Sequence, residues 1–188
     1  MTKHRALISV WDKTRIAEIG EALHNADYEL IATSHTAEVL RAAGLPVIEI
    51  SDYTGSPEIL RGRVKTLHPK IAGGILTTRD DPTIEPIDVV VCNLYPFSDG
   101  LKQGLSHEAL IELIDIGGVT LLRAAAKNYA YVAVVPSPRY YPEVLAELKT
   151  HGEVRLALRR RLARLAFEIT SAYDAAIAAY FQTVNGNP

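Results

Sequence analysis

Ala6-Leu7-Ile8-Ser9-Val10 is an apolar run of strand length. Over residues 13–25 it is followed by a stretch in which Ile16, Ile19, Leu23 and Ala26 recur at the spacing of one helix face, and then by a second apolar run, Tyr28-Glu29-Leu30-Ile31-Ala32. Strand, helix and strand in this order make a βαβ unit, because parallel neighbours need a crossover long enough to return the chain to the same edge. Residues 47–50, 89–93 and 132–135 read as further strands, and residues 36–43 as a helix with Gly44 placed to cap its C-terminus. The alternation predicts an α/β fold in three layers, a mostly parallel central sheet flanked on both faces by helices. Ligands of such sheets bind beyond the carboxyl ends of the strands. Ser9 ends the first strand, Thr33 to Thr36 follow the second, and Asn93 and Tyr95 follow the strand at 89–93, so the polar clusters are expected to converge on one edge.

The remaining chain reads as support. Residues 154–181 carry Leu158, Leu162, Leu165, Ile169, Tyr173, Ala176 and Tyr180 at helical spacing, a long structural helix. Arg159-Arg160-Arg161 resembles a phosphate grip, but adjacent helical residues point in different directions, which favours a solvated face. Residues 79–86 read as a surface loop and residues 185–188 as a frayed terminus.

Composition limits the function classes. The 188 residues suit one domain, 1–188, with a sizeable core. A net charge of -2 gives no broad drive toward nucleic acid or anionic membrane, so an anionic ligand must be small and held by a few placed cations. The single cysteine, Cys92, excludes an intramolecular disulfide framework and a Cys-rich zinc site, and its place in Val89-Val90-Val91-Cys92 marks it as a core residue. No signal peptide and no long apolar span is visible, which makes a soluble cytoplasmic protein the expectation. Neither a metal-ligand spacing nor a dinucleotide motif is present, and no metal or cofactor is expected.

The chemistry concentrates in Ile114-Asp115-Ile116-Gly117-Gly118-Val119-Thr120-Leu121-Leu122-Arg123-Ala124-Ala125-Ala126-Lys127-Asn128. Gly117 and Gly118 let the backbone approach a ligand, and a helix over residues 119–126 would turn its first N–H groups toward whatever sits beside Asp115. Asp115 and Lys127, carried this way, are expected to share one pocket and perturb each other's pKa. For an anion the sequence offers Ser9, Lys13 and the loop Thr33-Ser34-His35-Thr36, with plain N-capping as the alternative role for Ser34 and Thr36 and an exposed loop position as that for His35.

Together with Arg63-Val64-Lys65-Thr66-Leu67-His68-Pro69 and Cys92-Asn93-Leu94-Tyr95-Pro96-Phe97, this segment closely resembles the IMP cyclohydrolase domain, the N-terminal half of the bifunctional enzyme that finishes purine synthesis. The likeness covers residues 7–181 and implies a methylglyoxal-synthase-like fold. It implies an enzyme that closes formamidoimidazole-carboxamide ribotide (FAICAR) to inosine monophosphate (IMP) with Lys65, Tyr95, Asp115 and Lys127 as catalytic residues. Substrate contacts are implied for Ser9, Lys13, Thr33, Ser34, His35, Thr36, Arg63, Thr66, Asn93, Ile116, Gly117 and Gly118. The physical assignment gives the oxyanion to Lys65 and the backbone around Tyr95, the carboxamide proton to Asp115, and the orienting or relaying of Asp115 to Lys127, with Asp115 and Lys127 free to exchange duties. A homodimer follows from the resemblance; the 188 residues hold no transformylase half, so the chain reads either as a stand-alone cyclohydrolase, with a separate transformylase expected to supply its substrate, or as an excised domain. Two positions depart from the family pattern: Ser34-His35 stands where a glycine pair is common, and Trp11 where a serine is common. The rival readings are a phosphate- or nucleotide-sensing regulatory module and a lyase acting on a triose phosphate. A sensor needs only the phosphate loop, and the lyase needs its own carboxylate motif near that loop.

Overall fold

A computed structural model describes residues 4–184 of the chain. Its centre is a sheet of five strands, all parallel: His4–Val10 (β1), Tyr28–Ala32 (β2), Val47–Glu49 (β3), Val89–Asn93 (β4) and Ala133–Val135 (β5), in the order β3-β2-β1-β4-β5. The helices are Ile16–Asn25 (α1), Ser34–Ala42 (α2), Ile50–Thr54 (α3), Pro69–Leu76 (α4), Phe97–Lys102 (α5), His107–Glu112 (α6), Gly117–Lys127 (α7), Tyr141–His151 (α8) and Leu156–Thr183 (α9). In the two flanking layers α1 packs beside α2 and α8, and α7 lies between α4 and α9. The sheet is the predicted α/β one, and parallel throughout.

Burial explains the strands. Ala6, Leu7 and Ile8 of β1 and Val89 to Cys92 of β4 are buried, as central parallel strands covered on both faces must be, and their sequences are continuous apolar runs for that reason. The face predicted for α1 is the buried one, with Ile16, Ile19 and Leu23 inward. Gly20 on that face has a separate cause: a Cβ there would stand 2.7 Å from Leu40 Cδ2, so its absence allows α1 and α2 to approach.

Several boundaries moved. α1 begins at Ile16 because the Lys13 ammonium turns back to the carbonyls of Val10 and Trp11 and Arg15 takes a left-handed backbone, φ 57°. α2 begins at Ser34, with Thr33 as the extended N-cap residue, and Gly44 has the left-handed φ of 82° that suits the end of this helix. α7 includes Gly117 and Gly118 in its first turn, whereas the helix was expected to begin at Val119. The long helix begins at Leu156, two residues later than expected, and the loop at 79–86 carries no helix or strand. The terminus at 185–188 lies outside the described residues.

The strand order places the site. From the central β1 the chain builds outward through β2 and β3, then crosses back to β4 on the other side of β1 and continues to β5. The connections therefore diverge at the carboxyl ends of β1 and β4, where Ser9 pairs with Cys92 and Val10 with Asn93, and an open crevice is left there.

Candidate active site

A cavity of about 700 Å³ opens at this divergence. Its lining includes Ser9 near the end of β1 with Trp11 and Lys13 after it, Thr33, His35 and Thr36 at the start of α2, Asn93 at the end of β4 with Tyr95 after it, and Ile116, Gly117 and Gly118 at the start of α7. Asp115 sits in the turn before α7, while Arg63, Lys65 and Thr66 come from the connection between α3 and α4. The motifs predicted to converge on one edge thus do so.

One end is built to receive an anion. Thr33 caps α2 through its backbone alone and makes no side-chain capping bond, so the first N–H groups of α2 lack an internal partner at the cavity wall. The buried Thr33 hydroxyl reaches Thr36 Oγ1 at 3.4 Å, and Thr36 Oγ1 reaches the Val10 carbonyl, which ties the start of α2 to the end of β1. Lys13 donates to Val10 and Trp11 carbonyls at 3.1 and 3.3 Å and retains a third N–H. Burial, and then the positive charge of Lys65, hold the Lys13 pKa below its ordinary value. Two ammonium groups that raise each other's energy are a standing attraction for an anion between them.

The other end carries the carboxylate. Asp115 accepts from the Gly118 N–H at 2.6 Å and from the backbone N–H of Tyr95. Burial nevertheless raises its pKa above the usual carboxylate value; those two hydrogen bonds and Lys65 oppose the rise. Burial, with Asp115 next, also raises the Tyr95 phenol. Gly118 is required by contact: a Cβ there would lie 2.4 Å from Asp115 Oδ2 and 2.9 Å from Leu94 Cδ2. A Cβ on Gly117 would lie 2.4 Å from Thr66 Oγ1.

Four expectations need correction. Lys127 does not share the cavity with Asp115: it is exposed at the last residue of α7, about 15 Å along the helix axis from Gly117, and the cation acting on Asp115 is Lys65. The Tyr95 N–H, assigned to an oxyanion, faces the Asp115 carboxylate instead and helps to hold its pKa down. Ser34 turns off the cavity wall and donates to Glu58 Oε2 at 3.2 Å. Asn93 lines the cavity, but its oxygen accepts from the Trp11 and Asp12 N–H groups, both at 2.8 Å, and its nitrogen donates to the Asp12 carbonyl; only one amide hydrogen remains for a ligand.

Other placements follow the sequence more directly. Arg63 lies at the cavity edge with its guanidinium on Glu112 at 2.8 Å, an exposed ion pair that joins the α3–α4 connection to α6. Cys92 is buried, and its Sγ faces the Gly118 carbonyl at 3.7 Å. Of the arginine run, Arg161 pairs with Glu143 while Arg159 is half-buried elsewhere on α9, so the three do diverge. His35 is exposed and paired with Glu38 at 3.0 Å.

Tyr173 was missed as a site residue. Its hydroxyl accepts from the Asp115 N–H at 2.9 Å and donates to the Leu113 carbonyl, so α9 holds the turn that carries the carboxylate. Burial pushes the Tyr173 pKa up to about 12, which keeps that donor in place. In sequence it is one more member of an apolar helical stripe; its only distinguishing mark is that the stripe elsewhere is mostly aliphatic.

Comparison with known proteins gives a consistent neighbourhood. Residues 15–120 match the family described as MGS-like domain, and residues 125–187 match AICARFT/IMPCHase bienzyme. Among curated proteins, the "Bifunctional purine biosynthesis protein PurH" of Rippkaea orientalis is 53% identical over 192 residues, covering 96% of this chain and 37% of that protein. The protein of the same name from Bartonella bacilliformis is 53% identical over 187 residues, 94% of this chain and 35% of that one. The chain therefore spans little more than a third of the length of these relatives. A solved structure titled "Crystal structure of ForH" superposes with a TM-score of 0.82 at 33% identity, covering 98% of this chain and 100% of that one.

Proposed function

Because this chain belongs to the MGS-like domain family, we propose that it is an IMP cyclohydrolase, closing FAICAR to IMP in the last step of purine synthesis. The observation that carries the reading is one cavity with an anion-binding end at Lys13 and α2 and a half-buried carboxylate beside a lysine at the other end. A ribotide phosphate suits the first and a proton transfer the second. The PurH and bienzyme matches support the choice within the family.

The reaction needs little beyond positioning and charge. An amide nitrogen is a weak nucleophile, and the formyl group must be held against the carboxamide for the two to react. As the carboxamide nitrogen bonds to the formyl carbon, it loses a proton to Asp115, and negative charge grows on the formyl oxygen. The Lys65 ammonium meets that charge and donates the proton that makes the oxygen a hydroxyl. The hydroxyl departs as water, taking the formamido hydrogen as the new ring C=N forms. With the Tyr95 N–H engaged by Asp115, the oxyanion role falls to Lys65, and Tyr95 orients the base. A raised pKa suits Asp115 to this duty, because a carboxylate that holds its proton more tightly is the stronger base.

Thr66, Ile116, Gly117, Ser9 and His35 also line the cavity and complete the substrate contacts of this reading. Lys127 has no place in this scheme within one chain. A cytoplasmic homodimer supplied by a transformylase completes the reading and rests on the family resemblance alone.

The test is spectrophotometric assay of IMP formation from the formylated ribotide with no added folate, nucleotide or metal, with dihydroxyacetone phosphate offered in parallel. Turnover of the ribotide alone is expected. Turnover of the triose phosphate, or phosphate binding with neither reaction, would replace this reading by the lyase or the sensor.

A further inference from the structure

The two ends of the cavity are accounted for by the proposed reaction, but the wall between them is not. Trp11 stands there with 51% of its surface exposed, although its backbone is firmly fixed. Its N–H donates to Asn93 Oδ1 at 2.8 Å, and its carbonyl accepts from the Lys13 ammonium at 3.3 Å. The indole meets Tyr95 edge-on, with ring centroids 5.1 Å apart and planes at 65°. With half of the residue exposed, the single ring contact leaves an indole face uncovered. An aromatic face carried on a fixed backbone and lining a cavity is a surface for another flat group.

The contacts also fix what that group must be. Lys13 reaches the Trp11 carbonyl, the Trp11 indole meets the Tyr95 ring, and Tyr95 faces Asp115, so Trp11 connects the anion end to the carboxylate end. A ligand with its phosphate at Lys13 and its reacting atoms at Asp115 must run past the indole. The planar part of such a ligand is its heteroaromatic base.

We propose that Trp11 is a specificity-determining residue whose indole stacks on the heteroaromatic base of the bound nucleotide. This assignment takes the identity of the nucleotide from the cyclohydrolase reading. Trp11 is the only tryptophan in the chain, so intrinsic fluorescence reports on this one position.

The experiment titrates the protein with IMP and, separately, with ribose 5-phosphate while following tryptophan emission; competition against IMP establishes that the sugar phosphate is bound. Steady-state constants are measured for Trp11→Ala and Trp11→Phe. Saturable quenching by IMP is expected, with emission unmoved by bound ribose 5-phosphate. Loss of one base stack should raise KM about tenfold in Trp11→Ala and leave kcat within about twofold, with Trp11→Phe recovering most of the loss. Equal quenching by both ligands, or an unchanged KM in Trp11→Ala, would overturn the stacking role. The two readings fail separately: quenching by IMP without any cyclohydrolase turnover removes the reaction and keeps the stack, whereas turnover without quenching removes only the stack.

Discussion

At Asp115 burial and hydrogen bonding pull the carboxyl's proton affinity in opposite directions, and burial wins. If Asp115 accepts the carboxamide proton, ring closure fails as pH falls through this raised pKa. Replacing Lys65 by Met removes a positive neighbour that lowers the pKa, so the acid limb of the kcat profile should move to higher pH, with turnover also falling about a hundred- to a thousandfold for loss of the oxyanion donor. An unmoved limb in a measured pH–rate profile would take the base role from Asp115. The same shift sets a stability prediction. A carboxyl whose folded pKa exceeds its unfolded one destabilises the fold while ionised, fully above the folded pKa and not at all below the unfolded value. Asp115→Asn should therefore melt higher than the parent at pH 7 and lose that advantage near the bottom of the acid range, even as it abolishes activity; thermal melts across pH give the answer. Gly118→Ala probes the geometry of the same group, since the new Cβ would displace the carboxylate and Leu94. A shift on the order of 1 Å at a reacting group costs about a hundredfold in kcat, the expected loss here.

Helix α7 is a rigid spacer, and its length decides which residues act together. Asp115 precedes its first turn and Lys127 ends it. Groups this far apart without shared partners contribute independently, so Lys127→Met should leave kcat/KM and the acid limb of the kcat profile close to those of the parent. A large loss of turnover in Lys127→Met would show a contribution from Lys127 that one copy of the chain does not contain. Helix α9 acts on the site through a single hydroxyl. Tyr173→Phe leaves the Asp115 N–H and the Leu113 carbonyl without that partner, at a cost of about 1–3 kcal/mol. Denaturant unfolding should show that loss, and kcat should fall while KM changes little, because the turn carrying the carboxylate loosens and the anion end does not.

Across the whole molecule the site depends on the divergence of connections beside β1, which lets β1, α2, β4, α7 and the α3–α4 connection each contribute to one cavity. Binding there couples to the stability of the entire sheet. IMP at about a hundred times its Kd should add about 2.7 kcal/mol, equivalent to a rise in Tm of about 5–10 °C for a chain of this size. Lys13→Met should shrink the rise at the same IMP concentration, read by differential scanning fluorimetry. No helix among the described residues is long and apolar enough to cross a membrane.

What the sequence by itself determined is whatever local pattern and chain order encode. Apolar runs and helical spacing gave the βαβ rhythm because burial on two faces, or on one stripe, writes a period into the residues themselves. The positions of Ser9, Thr33, Asn93 and Tyr95 after strands were enough to bring them to one edge, since every strand of a parallel sheet points the same way. Helices α3, α4, α5, α6 and α8 escaped notice; the first four, at five to eight residues, carry too few turns for a period to emerge, α4 announces itself only by its cap, His68 Nδ1 accepting from the Lys70 N–H with Pro69 beside it, and α8 buries only Tyr141, Val144 and Leu148 along its eleven residues. Partnership was a matter for the tertiary structure alone. Whether Asp115 answers to Lys65 or to Lys127, whether the Asn93 amide is free, and that Tyr173 holds the turn of Asp115 from 58 residues away are settled by how separate elements pack. Distance along the chain carries no information about distance across a folded core.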